Sequence, residues 1–173
     1  VTYHLSVQWL QPQKAGLVIG AVFILPFLLF SATSGQLADK YDKAFLARMV
    51  KNLEIFIMLL GAVGLFTSQV ALLLGCIFLL GLHSTLFGPV KYAYMPQHLN
   101  AAELTGGNGM VEMGTFVAIL LGNVLGGLLI ALPADGWLNG AQAVALTSLV
   151  LAVVGRLVAQ AIPATPATSP GLV

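Results

Sequence analysis

Charge is what this sequence has least of. Seven Lys and Arg and six Asp and Glu make up 8% of 173 residues, where a soluble domain carries about 25%. A water-soluble fold of this size could not cover its surface with so few charges, which excludes that class. Cysteine is nearly absent as well. The single Cys76 excludes an intrachain disulfide and any multi-cysteine metal site, and its apolar surroundings suit a small core residue. The signatures of soluble enzymes are missing: no Gly-x-Ser-x-Gly, no phosphate-binding loop, no His-x4-Asp pair and no cluster of metal ligands occurs. A net charge of +1, confined to loops, points to no nucleic acid. No catalytic residue, metal or cofactor is expected.

What is present is apolar. Hydrophobic residues are 58% of the chain, with a mean hydropathy of +0.96. A membrane span needs about 20 such residues. Candidate spans cover residues 15–34, 53–66, 70–87, 107–132 and 138–162. Pro26 falls inside the first, where membrane helices tolerate proline because neighbours satisfy the freed carbonyl. Only Thr67, Ser68 and Gln69 part the second from the third, so these two form a tight hairpin. A loop is expected over 88–105, which holds Pro89, Lys91, Pro96 and Glu103, and a break at 133–136. Residues 163–173, with Pro163, Pro166 and Pro170, have linker composition. Residues 1–12 look like the remnant of a first helix and an outer loop. They carry no basic stretch of a signal peptide, and the chain looks cut from something longer. The fold class is all-α, a polytopic membrane helical bundle.

Orientation follows from the basic residues. Lys40, Lys43, Arg48 and Lys51, four of the seven, lie within residues 35–51. Lys and Arg collect on the cytoplasmic side near span ends, so this stretch is assigned inside. Lys91 and Arg156 then also fall inside, and Lys14 alone sits on an outer flank. Asp135 is the only charge of the outer 133–137 loop. Tyr3, Trp9 and Trp137 fit interfacial anchors.

The inner stretch reads Gly35-x-x-x-Asp39-Lys40-x-x-Lys43. Physically, the Gly can end a helix, an Asp can cap the next, and the Lys side chains can meet headgroups. The pattern is similar to the loop motif between helices two and three of the major facilitator superfamily, although Asp42 and Ala44 replace its usual Gly and base. Gly88-Pro89-Val90-Lys91-Tyr92-Ala93-Tyr94-Met95-Pro96 resembles a segment of the superfamily's bacterial lysophospholipid transporters. The run from Asn108 through Glu112 to Gly122 resembles their fifth helix. The likeness covers most of residues 15–160.

That fifth-helix candidate also carries a physical pattern. Asn108, Glu112, Thr115 and Asn123 share an arc of roughly 80°. Polar groups on one face of a membrane helix need water or partners, which a substrate cavity or an interhelical hydrogen-bond face supplies. Gly114, Ala118, Gly122 and Gly126 form a stripe of small residues suited to close helix packing. Glu54 stands one turn after Lys51, either as its i,i+3 partner or as an acid facing a cavity. His83 is expected to be bonded within the bundle or to serve coupling. Lys91, beside Tyr92, either holds a lipid phosphate or snorkels. An intramembrane enzyme would have to rest on Glu112 and His83, which lie on different helices.

The resemblance implies most of the N-terminal six-helix half of a facilitator-superfamily transporter, with the C-terminal half absent and half of a substrate site present. It implies movement of lysophospholipids, such as lysophosphatidylethanolamine, to the inner leaflet of a bacterial inner membrane for reacylation. Glu54, Lys91, Asn108, Glu112 and Asn123 are the candidate substrate contacts, and Gly35, Asp39, Lys40 and Lys43 the conformational loop motif. Partners would be the lipid bilayer and an acyltransferase, fused or separate. Another solute, or a membrane anchor for a fused acyltransferase, are the alternatives.

Overall fold

The computed structural model describes residues 12–134 and 136–171. Tyr3, Trp9 and Asp135 lie outside them. Five long helices follow one another: α1 (Pro12–Lys40), α2 (Lys43–Phe66), α3 (Val70–Tyr94), α4 (Leu104–Ile130) and α5 (Gly140–Val158). Short 3-10 turns at Met95–Gln97 and Ala159–Ala161 extend α3 and α5, and no strand occurs among the described residues. All five helices are long and apolar enough to cross a membrane. The chain is a multi-pass, all-α membrane bundle.

The expected loop at 35–51 is far shorter. Gly35, Asp39 and Lys40 belong to α1, and only Tyr41 and Asp42 separate α1 from α2. Most of this stretch is Gln, Leu, Ala, Lys and Arg, all good helix formers, and only Asp42 diverts the backbone. It caps α2 by accepting the Phe45 amide at 2.7 Å, as short acidic side chains do at helix starts. At 1.5 Å per residue, the 29 residues of α1 reach about 43 Å, beyond the hydrocarbon layer. The charged end therefore projects into the headgroups.

Helix α3 likewise runs through Gly88 and Pro89 to Tyr94, where a loop was expected. Packing overrides the proline: Val90 and Met95 beyond it are both buried. Val90 joins Ala38, Leu46 and Ala47 in a small apolar core, flanked by Phe87 and Ile162.

Helix α1 packs along α3, α3 along α2, and α2 along α5. The α1–α3 contact depends on Gly81. A Cβ there would lie 2.1 Å from the Phe23 carbonyl oxygen and 3.1 Å from Pro26 Cγ. The α2–α3 hairpin closes as the sequence suggests. Ser68 takes a left-handed φ of 54°, while the Gln69 amide donates to the Gly64 carbonyl at 3.1 Å, the bond pattern of a helix ending in a left-handed residue. Helix α5 starts with reciprocal bonds between Asn139 and Gln142, a capping box.

Helix α4 stands apart. None of its residues is buried, and it touches α5 and the Met95–Gln97 turn. The small-residue stripe faces no neighbour: a Cβ at Gly114, Gly122 or Gly126 would meet nothing within 4 Å. Met110, Phe116, Leu120 and Val124 are exposed on the same helix, a surface suited to lipid or to further apolar helices.

Beyond α5 the chain folds back. Residues 162–169, which form no regular element, cross the ends of α1, α2 and α3 rather than trailing away.

Candidate functional site

Three polar clusters occupy the basic end of the bundle. The first joins α3 to α4. Lys91 Nζ donates to Glu112 Oε1 at 3.0 Å, and the Tyr92 hydroxyl donates to the same oxygen. The Lys91 ammonium also lies 4.7 Å from the Tyr92 ring centre, close enough for cation–π attraction. All are partly exposed; the Glu112 side chain retains 39% of its accessible surface. Beside them is an apolar cavity of about 220 Å³, lined by Lys43, Ala47, Phe87, Val90, Lys91 and Ile162 among others. An ammonium, a hydroxyl and a carboxylate at the edge of an apolar hollow can receive a zwitterion. Its phosphate would face Lys91 and Tyr92, and its amine Glu112, through charge-assisted hydrogen bonds.

The rest of the polar strip on α4 is not drawn in. Asn108 and Asn123 are exposed, and Thr115 donates to its own helix at the Val111 carbonyl, 2.8 Å away.

The second cluster joins α2, α3 and α5. Glu54 Oε2 pairs with Lys51 Nζ at 2.6 Å, the i,i+3 arrangement, and also lies 3.4 Å from His83 Nε2 on α3. His83 stacks on Phe87 with ring centres 6.3 Å apart. The Lys51 ammonium rests against Gly155 of α5, where a Cβ would come within 3.2 Å of Nζ. Next to it, Arg156 Nε donates to Asn52 Oδ1 at 2.6 Å. Glu54 is therefore held by two cationic or polarisable partners on two helices, which satisfies a carboxylate placed in a bundle. His83 belongs with Glu54 and Glu112 with Lys91. The two groups an intramembrane enzyme would require are assigned to different clusters.

The third cluster surrounds the loop motif. Lys43 is fully buried, not lying free among headgroups. Its ammonium donates to the Pro166 carbonyl at 3.0 Å and to Thr168 Oγ1 at 2.7 Å, while its amide donates to the Thr165 carbonyl at 2.9 Å. Asp42 Oδ2 accepts the Thr165 amide at 2.7 Å, and the Asp39 carbonyl accepts the Ser169 amide at 2.9 Å. Gln97 Nε2 donates to the Pro166 carbonyl at 3.2 Å, and His98 Nε2 lies 2.9 Å from Thr165 Oγ1. Gly35 and Lys40 take no part in these bonds.

The model of the Major Facilitator Superfamily matches residues 3–172. The chain belongs to that superfamily. Among curated proteins, the "Lysophospholipid transporter LplT" of Escherichia coli O1:K1 / APEC is 32% identical over 165 residues, 95% of this chain and 37% of that protein. The same protein from Escherichia coli O139:H28 (strain E24377A / ETEC) and from Escherichia coli O9:H4 (strain HS) matches at 32% over the same shares. The chain thus spans 37% of the length of these relatives. No solved structure matches it.

The sequence paired Glu54 with Lys51, marked His83 as bonded within the bundle and put Arg156 at an inner span end, but it did not join His83 to Glu54 or Arg156 to Asn52, and it missed Ile162 and Thr165. Arg156 carried a signal, since it is a lone charge at the basic end of an apolar span, whereas Asn52 is masked by its charged neighbours Lys51 and Glu54. Thr165 carried none, because a Pro-rich segment reads as a linker.

Proposed function

We propose that the chain is part of a transporter that moves lysophospholipids, such as lysophosphatidylethanolamine, to the inner leaflet of a bacterial inner membrane by alternating access, and is itself no enzyme. The observation that carries this reading is the Lys91–Tyr92–Glu112 cluster at the edge of an apolar cavity. It pairs both charges of a zwitterionic headgroup with a place for an acyl chain. The likeness to proteins named lysophospholipid transporters supports the same cargo. The basic end faces the cytoplasm by the positive-inside rule. A second six-helix half completes the site between the halves, and an acyltransferase, fused or separate, consumes the delivered lipid.

In this scheme Lys91 and Tyr92 orient the phosphate, and Glu112 exchanges its Lys91 partner for the substrate amine. Glu54 keeps α2 and α3 in register through Lys51 and His83. Asn108 and Asn123 face the missing partner surface, where they would contact the headgroup or a helix of the other half.

The test uses the full-length protein in proteoliposomes, following loss of outer-leaflet fluorescent lysophosphatidylethanolamine. Wild type should move it, and Lys91→Ala or Glu112→Gln should slow movement about 10- to 100-fold, the loss of one hydrogen bond to a charged group. No movement by folded wild type refutes the cargo and leaves another solute or a membrane anchor. Movement at equal rates in all three keeps the cargo and removes the site.

A further inference from the structure

We infer that residues 162–169 form a gate over the cavity beside Lys91, with Ile162 as its wall and Thr165 as its latch. Identity of the passing molecule rests on the lysophospholipid reading; the gate does not.

Ile162 lines the same cavity as Lys91 and Ala47 and packs on the core of Ala38, Leu46, Ala47 and Val90. Removing it would open that hollow to the basic, cytoplasmic end of the bundle. The residues after Ile162 are built to seat. Thr165 is fully buried and is held from three directions: by Asp42 Oδ2 on its amide, by the Lys43 amide on its carbonyl, and by His98 beside its hydroxyl. Pro163 and Pro166 lock φ, which narrows the conformations open to the lifted segment, so it loses less entropy on seating.

The seat is also built to release. Lys43 is fully buried, yet its ammonium meets only the Pro166 carbonyl and the Thr168 hydroxyl. Among the described residues no carboxylate lies within ion-pair distance of it. A buried cation with neutral acceptors is poorly compensated for its lost hydration. Lifting the segment returns that ammonium to water. Among the described residues, apart from the Ile162 amide on the Ala159 carbonyl, the hydrogen bonds that fasten the segment end on Asp39, Asp42, Lys43, Gln97 or His98. These residues flank the α1–α2 elbow and the end of α3. A movement of α1 against α3 therefore pulls the seat apart from both sides, and the gate opens with α3, the helix that carries Lys91 and Tyr92.

The experiment places a cysteine under the gate. Ala47 lines the cavity and retains 3% of its surface. Ala47→Cys is made in a cysteine-free background of the full-length protein, in inside-out vesicles. A charged, membrane-impermeant maleimide then reports opening as a labelling rate. Thr165→Val keeps the backbone bonds and removes the hydroxyl's contact with His98 and its bond to the Pro163 carbonyl within the segment; it should raise that rate about fivefold, the weight of the one hydrogen bond that ties the hydroxyl to the bundle. Pro166→Gly keeps the carbonyl that Lys43 and Gln97 use, and should raise it about two- to fivefold by giving the lifted segment more freedom. It serves if Thr165→Val fails to fold. Lysophosphatidylethanolamine should also change the rate in the protein that carries only Ala47→Cys, raising it where the lipid lifts the segment and lowering it where the acyl chain covers the cysteine. Unchanged labelling in either folded variant overturns the gate. Faster labelling in the variants with no response to lysolipid upholds the gate and refutes the lysolipid cargo.

Discussion

Replacing Gly81 with alanine adds one methyl group at the point where α3 crosses α1. That methyl would stand 2.1 Å from the Phe23 carbonyl oxygen and 3.0 Å from the Phe23 carbonyl carbon. A tolerable carbon–oxygen contact is about 3.3 Å, so the helices must part by about 1.2 Å. The obstacle is backbone on one side and the rigid Pro26 ring on the other, and neither can rotate away. Overpacking in a well-filled core costs about 1–3 kcal/mol, and this site belongs at the upper end. Gly75 is the control. It lies in the same helix, and a Cβ there would meet nothing within 4 Å, so Gly75→Ala should be neutral or stabilise by about 0.5–1 kcal/mol through helix propensity. The assay is unfolding of purified protein in mild detergent, followed by circular dichroism at both substitutions. Separation of α1 from α3 would also move the seat of the 162–169 segment. Equal midpoints for Gly81→Ala and Gly75→Ala would refute the α1–α3 contact.

Two further substitutions test the ends of helices. Ser68 holds a left-handed φ of 54°, which costs a residue with a Cβ about 1–2 kcal/mol; Ser68→Gly should raise the unfolding midpoint by relieving about 0.5–1 kcal/mol, and a lowered midpoint would count against the turn. Asn139→Ala removes the bond from the Gln142 amide to Asn139 Oδ1, while the Asn139 amide can still donate to Gln142 Oε1, and should destabilise by about 1 kcal/mol, with hydrogen exchange quickening first at Gly140 to Ala143; unchanged exchange there would argue against the cap.

The span-forming helices were legible because hydropathy alone marks them: in hydrocarbon the backbone has no choice but to bond to itself. Their ends were less so. Helix α1 outruns its apolar stretch because Gln36 to Lys40 are ordinary helix formers, and α3 passes Pro89 because Val90 has a core to enter. The Lys91–Glu112 bond could be anticipated only in part. Each residue was marked as a polar group near a membrane, but the approach of α3 to α4 is a tertiary fact. The seat of Thr165 was illegible from sequence. A threonine between two prolines has the composition of a linker, and what makes it structural is a lysine about 120 residues earlier in the chain.

Helix α4 carries seven glycines among its 27 residues, none of them buried. In water each would cost about 1 kcal/mol against alanine, enough to melt an isolated helix of this length. In hydrocarbon an amide without a partner costs several kcal/mol, so unwinding any one turn outweighs what glycine gains in freedom. The solvent thus supplies the rigidity that the sequence withholds. One chain segment can remain a continuous rod while its surface stays smooth enough to slide past another, and extraction into water, more than heating in the membrane, is what should dissolve it.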